Sequence, residues 1–298
     1  MNWKLRLSYS QNWNIGFCEQ SSEEFIKSKK LNKVQWMKHS YRDRWFADPF
    51  IYKINTKEIV VFVEECTIEK PKGILCELHI DRKTKRLKER YVILELDTHL
   101  SYPAIIQHKG KTYVYPENGV SGKLNIYEYD ELNHKLINPI CIIDESLADS
   151  TIIKQDEKYY LIATKYPNTQ MGSYLFSSNF FLEPFKKEII GCVQDKKDSS
   201  RPGGNWIVVN NSLYRPAQDC IKRYGSALSL MQITSISPDY SEEKKFSVLP
   251  KSFRYSNGIH TINFYDGLCV VDGYGYLFPF VGIILKLAKA IKHRKNPK

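Results

Sequence analysis

Short apolar runs broken by polar turns recur along the chain. The first, Trp45-Phe46-Ala47-Asp48-Pro49-Phe50-Ile51, is followed by a turn around Asn55 to Lys57. A second run, Ile59-Val60-Val61-Phe62-Val63, then ends in Glu64-Glu65. β-Branched and aromatic residues on both sides of a polar turn predict a β-hairpin. The pattern returns four more times, headed by Tyr102, Asp149, Arg201 and His260. Counted from Asp48, the heads stand 54, 47, 52 and 59 residues apart. A period near fifty residues signals a solenoid, a propeller or an array.

Between the hairpins a glycine opens a third strand, at Gly73, Gly122, Gly172 and Gly225. A fourth run follows each: Arg90 to Leu94, Pro139 to Ile143, Lys187 to Ile190 and Phe246 to Leu249. Four strands per repeat make a propeller blade. The fifth hairpin lacks its outer pair, but Trp13 to Cys18 and Val34 to Met37 near the N-terminus have the right pattern. The expected fold is all-β: a five-bladed β-propeller over residues 1–276, closed by N-terminal strands, followed by a basic amphipathic helix over 277–298. Closure hides sheet edges that an open array exposes. A β-sandwich or two small β domains would leave the half-blades at both ends unexplained.

The connections are read as polar. Residues 20–33 form a short helix or loop, 81–90 and 130–138 are charged links within blades, and 191–200 and 234–245 are outer loops. The tail differs. Val281, Ile284, Leu285, Ala288 and Ile291 share one helical face, Lys286, Lys289 and Lys292 lie off it, and no acid interrupts it from Phe278 onward. It is too short to span a bilayer. It suits a helix lying on an anionic membrane surface through residues 278–295; docking on the propeller is the alternative.

Composition narrows the function. The chain has 298 residues, 44 Lys and Arg against 33 Asp and Glu, and a net charge of +11. No basic stripe with interleaved aromatics stands out, so no nucleic-acid partner is expected. Met1 to Leu7 lacks a secretory core. The seven cysteines form no CxxC framework, which predicts buried, reduced thiols, and no Cys/His cluster has ligand spacing, so no zinc site is expected. These features together predict a cytoplasmic protein, peripheral on the inner face of the cell membrane.

In a propeller the heads of the inner strands meet at one mouth, and the ends of the second strands lie beside them. That convergence selects the candidate catalytic carboxylates Asp48, Asp149, Glu65 and Glu117. Glu64 and Glu65 point to opposite sides of their strand, so only one of the two can face the channel. The candidate substrate-binding residues are Trp45, Tyr102, Lys165, Arg201, Tyr214, Arg215, Gln218, Asp219 and His260. Carboxylates, aromatic platforms and an arginine suit a sugar, and paired carboxylates can do acid and base work at an anomeric carbon. Each residue also has a purely structural use. Asp48 can start a turn before Pro49, Asp149-Ser150-Thr151 can make an Asx-turn, and His260 can be a hydrogen-bonded core histidine. No cofactor is required. A divalent ion between Asp48, Glu65 and Asp149 is compatible with the residue types, but nothing demands it.

The set W-F-A-D-P-F, V-E-E, L-S-Y-P, Y-P-E, A-D-S-T, S-R-P-G-G, L-Y-R-P-A-Q-D, R-Y-G-x-A-L and G-I-H-T-I-N resembles the propeller domain at the N-terminus of plant glucosamine inositolphosphorylceramide transferases and its bacterial relatives, over roughly residues 36–273. More distantly, the D-P-F-I and D-S-T-I-I heads resemble five-bladed glycosidases of the arabinanase, xylosidase and fructosidase kind. That resemblance implies a base or nucleophile at Asp48 and a pKa-tuning or substrate-holding carboxylate at Asp149. The general acid has no motif; Glu117 and Glu65 are placed by geometry alone. The plant proteins carry a separate glycosyltransferase domain outside these motifs, so what the resemblance implies is a place in glycolipid or polysaccharide assembly. The expected activity is that of a membrane-associated glycosyltransferase taking a sugar or nucleotide-sugar and a lipid-linked glycan acceptor. Asp48 would be its base, with Arg201 and Lys165 at a donor phosphate. The alternatives are a glycoside hydrolase and a non-catalytic glycan-binding scaffold.

Overall fold

The computed structural model describes residues 7–295; Met1 to Arg6, read above as no secretory core, lie outside the described residues. Strand β1 (Asn12–Glu19), a helix over Ser22–Ser28 and β2 (Gln35–Trp36) come first. Blade 1 follows as β3 (Arg44–Ile54), β4 (Glu58–Thr67), β5 (Gly73–Asp81) and β6 (Leu87–Leu94). Blade 2 is β7 (Ser101–His108), β8 (Lys111–Glu117), β9 (Leu124–Asp130) and β10 (Lys135–Ile143). Blade 3 is β11 (Leu147–Gln155), β12 (Lys158–Lys165), β13 (Ser173–Ser178) and β14 (Lys186–Lys187). Blade 4 is β15 (Ile207–Val209), β16 (Ser212–Asp219), β17 (Ala227–Ser235) and β18 (Ser241–Val248). The last pair is β19 (Ile262–Tyr265) and β20 (Leu268–Gly275), before a helix over Pro279–Lys295. Among the described residues the strands form five four-stranded sheets, the fifth in the order β19-β20-β1-β2. The five-bladed propeller expected from the repeat is therefore present, and the N-terminal strands close it.

Closure rests on a full antiparallel ladder from Asn12 opposite Gly275 to Glu19 opposite Leu268. The core lies between blades. Along β4, Ile59, Val61 and Val63 face blade 5, where they meet Ile15 and Phe17. The intervening Phe62 faces blade 2 and meets Val114 and Tyr129. Side chains alternate across a strand, and both faces of the sheet are covered, so the run is apolar throughout. The helix Ser22–Ser28 starts with a capping box: Ser21 accepts from the Glu24 amide at 3.1 Å and Glu24 accepts from the Ser21 amide at 3.1 Å. Its buried Phe25 packs on Phe246 of β18 and Phe264 of β19, tying blade 4 to blade 5.

Three boundaries differ from expectation. Residues 241–245, expected in a loop, open β18; β10 begins at Lys135 and β6 at Leu87, inside stretches read as links. These are outermost strands, whose solvated faces accept a polar sequence. Conversely, the run from Lys187 to Ile190 contributes only Lys187 to the sheet, in the two-residue strand Lys186–Lys187. The seven cysteines are free thiols; five are buried, while Cys141 and Cys192 are exposed.

Among the described residues no helix is long and apolar enough to cross a membrane. The C-terminal helix docks through Gly282, which is buried against the Tyr276 ring, and through Lys286, which donates to Ser256 Oγ at 2.9 Å. Phe280, Ile284, Leu287 and Ile291 form an exposed apolar stripe. Val281 and Leu285, expected on the same face as Ile284, are half-buried instead. The side chains of Lys289 and Lys292 lie outside those described.

Phe17 sits on the closing strand at 1 % exposure. Phe17→Ala is expected to lower the unfolding free energy by about 3–5 kcal/mol, read from urea denaturation; a loss below about 1 kcal/mol would mean the closure is not part of the cooperative core.

Candidate functional site

The inner strands of blades 1, 2 and 3 share one distortion. Their ladders break between Ala47 and Phe50, between Ser101 and Ala104, and between Ala148 and Thr151. Asp48, Tyr102 and Asp149 occupy these bulges with φ of 50°, 48° and 48°. Bulges re-aim side chains and free an amide from the ladder. Each freed N–H donates to a carboxylate of the preceding seam. Asp48 N donates to Asp272 Oδ2 at 3.2 Å, Tyr102 N to Asp48 Oδ2 at 3.2 Å, and Asp149 N to Glu117 Oε2 at 3.1 Å. Blade 4 reaches back with side chains: Arg201 Nε donates to Asp149, and Gln218 Nε2 donates to the same Oδ2 at 2.5 Å. In blade 5 the amides of His260 and Thr261 donate to Asp272 Oδ1 at 2.9 and 3.0 Å. The Thr261 hydroxyl donates to Asp48 Oδ1 at 2.7 Å.

Arg-Pro-Gly-Gly heads blade 4 because the backbones meet there. Gly204 has φ 140°, and a Cβ on it would lie 1.9 Å from Ile262 O. Below the mouth the channel is filled: the Tyr102 hydroxyl accepts from Gly204 N at 2.7 Å and lies 3.2 Å from Thr151 Oγ1.

Above this floor is a cavity of about 620 Å³, whose lining includes Asp48, Glu64, Glu117, Arg201 and His260. Trp13, Trp45, Tyr166, Tyr224, Tyr274 and Tyr276 supply aromatic walls, and Arg223 and Lys286 supply cations. Trp13 stacks on His260 at 4.0 Å, Tyr224 meets the same ring edge-on at 5.4 Å, and Arg201 lies 5.1 Å from the Tyr224 ring centre. Glu117 accepts from Arg201 Nη2 at 3.2 Å and from the Tyr166 hydroxyl. Glu64 Oε1 is 3.2 Å from His99 Nε2, while His99 Nδ1 accepts the Gly73 amide at 2.9 Å. His99 therefore presents its N–H to Glu64.

Burial pushes the Asp48 carboxyl up to about 7, opposed by His260 and reinforced by Asp149, Glu64 and Asp272. Burial alone would lower His260, but the carboxylates of Asp272, 2.5 Å from Nδ1, and of Asp48, 3.7 Å from Nε2, outweigh it and lift the imidazole to about 9. Burial likewise pushes Asp149 up, to about 7, against the pull of the Arg201 guanidinium. The mouth thus holds an acid that exchanges its proton near neutrality beside a cationic imidazole. Such groups titrate as a unit.

Of the residues selected by sequence, Asp48, Glu117, Trp45, Arg201 and His260 line the cavity together. Asp149 and Gln218 lie behind Arg201 and hold it, and Tyr102 plugs the channel. Glu65 does not join them. It points to the opposite sheet face, where Arg44 and Arg90 engage it, and its neighbour Glu64 faces the cavity. A divalent ion shared by Asp48, Glu65 and Asp149 is therefore not assembled. The donors that do converge are Asp48, His260 and Asp272, whose atoms lie within 4.8 Å of one another. Their oxygens already accept N–H and O–H groups. Lys165 is turned to Glu145 and the Tyr174 ring. Arg215 is fully buried, bound to Glu242 Oε1 at 2.6 Å and Ser199 O at 2.6 Å, so it braces the loop before Arg201. Tyr214 packs in the seam between blades 4 and 5, and Asp219 accepts the Ile221 amide at 3.0 Å. Trp13, His99, Tyr166, Arg223, Tyr224 and Lys286 were not among the selected residues. They come from loops, the closing strand and the C-terminal helix, outside the repeat heads.

The family model described as "Glucosamine inositolphosphorylceramide transferase 1, N-terminal" matches residues 20–267. A glucosamine inositolphosphorylceramide transferase 1 of Oryza sativa subsp. japonica is 25% identical over 211 residues, covering 68% of this chain and 28% of that protein. The Arabidopsis thaliana protein of the same name is 29% identical over 209 residues, covering 67% and 27%. The chain thus spans under a third of the length of these relatives. Among solved structures, a family 117 glycoside hydrolase from Zobellia galactanivorans superposes with a TM-score of 0.56 at 12% identity, covering 91% of this chain and 92% of that one. A β-xylosidase gives 0.56 at 11% identity, covering 78% and 93%. At such identities the likeness concerns the fold.

An acid raised from 3.8 to about 7 on folding binds its proton more tightly in the native state, so its contribution falls as pH climbs between those values. The His260 contribution is complete below its ordinary 6.5 and is lost as pH rises through about 9. Asp48→Asn, which suits a left-handed backbone, is expected to flatten the fall in thermal stability between about pH 4 and 7 relative to the parent chain. Asp48→Ala should be less stable than Asp48→Asn by about 1–2 kcal/mol. Melting curves across pH check both; parallel profiles for parent and Asp48→Asn would remove the raised acid.

Proposed function

The chain belongs to the family of the N-terminal domain of glucosamine inositolphosphorylceramide transferase 1, and on that premise we propose that it is a membrane-associated carbohydrate-active enzyme making or rearranging a glycosidic bond on a lipid-linked or nucleotide-activated sugar. One observation carries the reading. The helix that sets Lys286 in the cavity wall also presents the exposed stripe Phe280, Ile284, Leu287 and Ile291. A sugar headgroup in the cavity would then have its lipid portion beside an apolar surface.

The chemistry of the cavity supports this. Aromatic walls take the apolar faces of a sugar ring. Arg223 and Lys286 line the cavity together; burial, and then the nearby Arg223 guanidinium, disfavour the charged Lys286 ammonium, and a phosphate relieves that cost. Arg201 and Lys165, expected at the donor phosphate, are bound to Asp149 and Glu117 and to Glu145; Arg223 and Lys286 take that role. In the proposed step Asp48 accepts the proton of the acceptor hydroxyl. The hydroxyl oxygen bonds to the anomeric carbon as the bond to the leaving phosphate oxygen breaks, and the phosphate departs on the two cations. A net charge of +11 and reduced thiols suit the anionic cytoplasmic face of the cell membrane.

A second reading, glycoside hydrolysis, is favoured by the raised Asp48 sharing its cavity with Glu64 and Glu117. The same proton transfer would then activate water. The filled channel suits a scaffold, but the open cavity above it gives a ligand room.

With a nucleotide-sugar panel and a lipid-linked acceptor, Asp48→Asn is expected to cut turnover by about 10²-fold or more with the ligand still bound in saturation-transfer NMR. Unchanged turnover would sink the assignment, and turnover of free glycosides alone would establish the hydrolase. Replacing Ile284 and Leu287 with Asp should weaken co-sedimentation with anionic vesicles at least tenfold at unchanged melting temperature. Equal sedimentation would remove the membrane from the proposal.

A further inference from the structure

A second cluster of ionisable groups lies away from the mouth, in the seam between blades 1 and 2. Glu77 and His79 are two apart on β5 and so share the face that meets blade 2. His134 comes from the turn between β9 and β10. Glu77 Oε1 is 2.8 Å from His79 Nε2, and Glu77 Oε2 is 2.9 Å from His134 Nδ1. The three donor atoms lie within 4.8 Å of one another.

We propose that Glu77, His79 and His134 form a divalent-metal site of the Zn(II) class that ties blade 1 to blade 2. Two imidazoles and one carboxylate are the nitrogen and oxygen donors that zinc takes, with a fourth position for water. The supporting contacts resemble those of a ligand set. His79 Nδ1 is 3.2 Å from Glu58 Oε2, and a carboxylate on the far nitrogen of a ligating histidine fixes its tautomer and orientation. The His134 ring lies flat on Tyr91, at 3.8 Å and 3°. Its backbone holds φ at 49°, a strained conformation for a residue with a Cβ. The Tyr129 hydroxyl donates to Glu77. Access is open: the His79 and His134 side chains are 15% and 28% exposed, while Glu77 is 2% exposed. Donors around a tetrahedral zinc at about 2.0–2.1 Å stand roughly 3.3 Å apart, so each imidazole nitrogen has to part from its Glu77 oxygen by about half an ångström, and the two nitrogens, within 4.8 Å of each other, have to reach the same spacing. The site is independent of the carbohydrate chemistry at the mouth.

The untagged full chain, stripped with chelator, is titrated with Zn(II) against a chromophoric competitor. One equivalent per chain is expected. Affinity should fall at least tenfold in His134→Asn, which keeps the left-handed backbone tolerable, and in His79→Gln, and be unchanged in Asp48→Asn. X-ray absorption of the zinc-loaded parent chain should show two imidazoles in the first shell, a readout that does not depend on the variants folding. Absence of a stoichiometric site would overturn the proposal. So would affinity unaltered in both histidine variants, or abolished by Asp48→Asn.

Discussion

Buried carboxylates at the mouth, each accepting amides or hydroxyls that the bulges and heads direct at it, are the constraint on which this propeller depends. Asp272 accepts from blade 1, Asp48 from blades 2 and 5, and Glu117 and Asp149 from blades 3 and 4. A carboxylate removed from water is costly unless hydrogen-bonded donors surround it. Donors from adjacent blades meet that requirement here, so the charges bind the blades together. The apolar seams below supply most of the cohesion, but they are non-directional. The amide-to-carboxylate contacts set how the inner strands meet.

The same arrangement produces the chemical potential of the site. Burial lifts the proton affinity of Asp48 towards neutrality, with Asp149, Glu64 and Asp272 adding to it against the pull of His260, which remains cationic beside it. Arg201 holds Asp149 and Glu117, and is itself held by Gln218 acting on Asp149 and by Arg215 bracing the loop before it. Stability and proton transfer therefore draw on the same residues. A substitution at the mouth acts on both, which is why the charge-removing Asn and the strain-adding Ala separate the two effects at Asp48.

Much was legible in the sequence. The heads near fifty-residue spacing, the glycine-led third strands and the half-blades at both ends identified five blades and their closure. Asp48, Glu117, Trp45, Arg201 and His260 were found by repeat position and do share one cavity. Glu64 and Glu65 could not be told apart by pattern. Both faces of β4 are covered by neighbouring blades, so Ile59 to Val63 is apolar without alternation and gives no parity. Lys165, expected at a donor phosphate, and Arg215, expected to bind substrate, are instead engaged by Glu145 and Glu242, distant loop or outer-strand residues that no spacing rule connects to them.

By itself, then, the sequence determined the architecture and the level at which chemistry concentrates, because period and strand composition are local properties that repeat. The tertiary structure decided which carboxylate faces the cavity and what holds each cation. It also decided that Trp13 from the closing strand and Lys286 from the C-terminal helix stand in one wall with His260. Those outcomes depend on which surfaces meet when the ring closes. Closure brings together residues at opposite ends of the chain, and such contacts leave no local signature in the sequence.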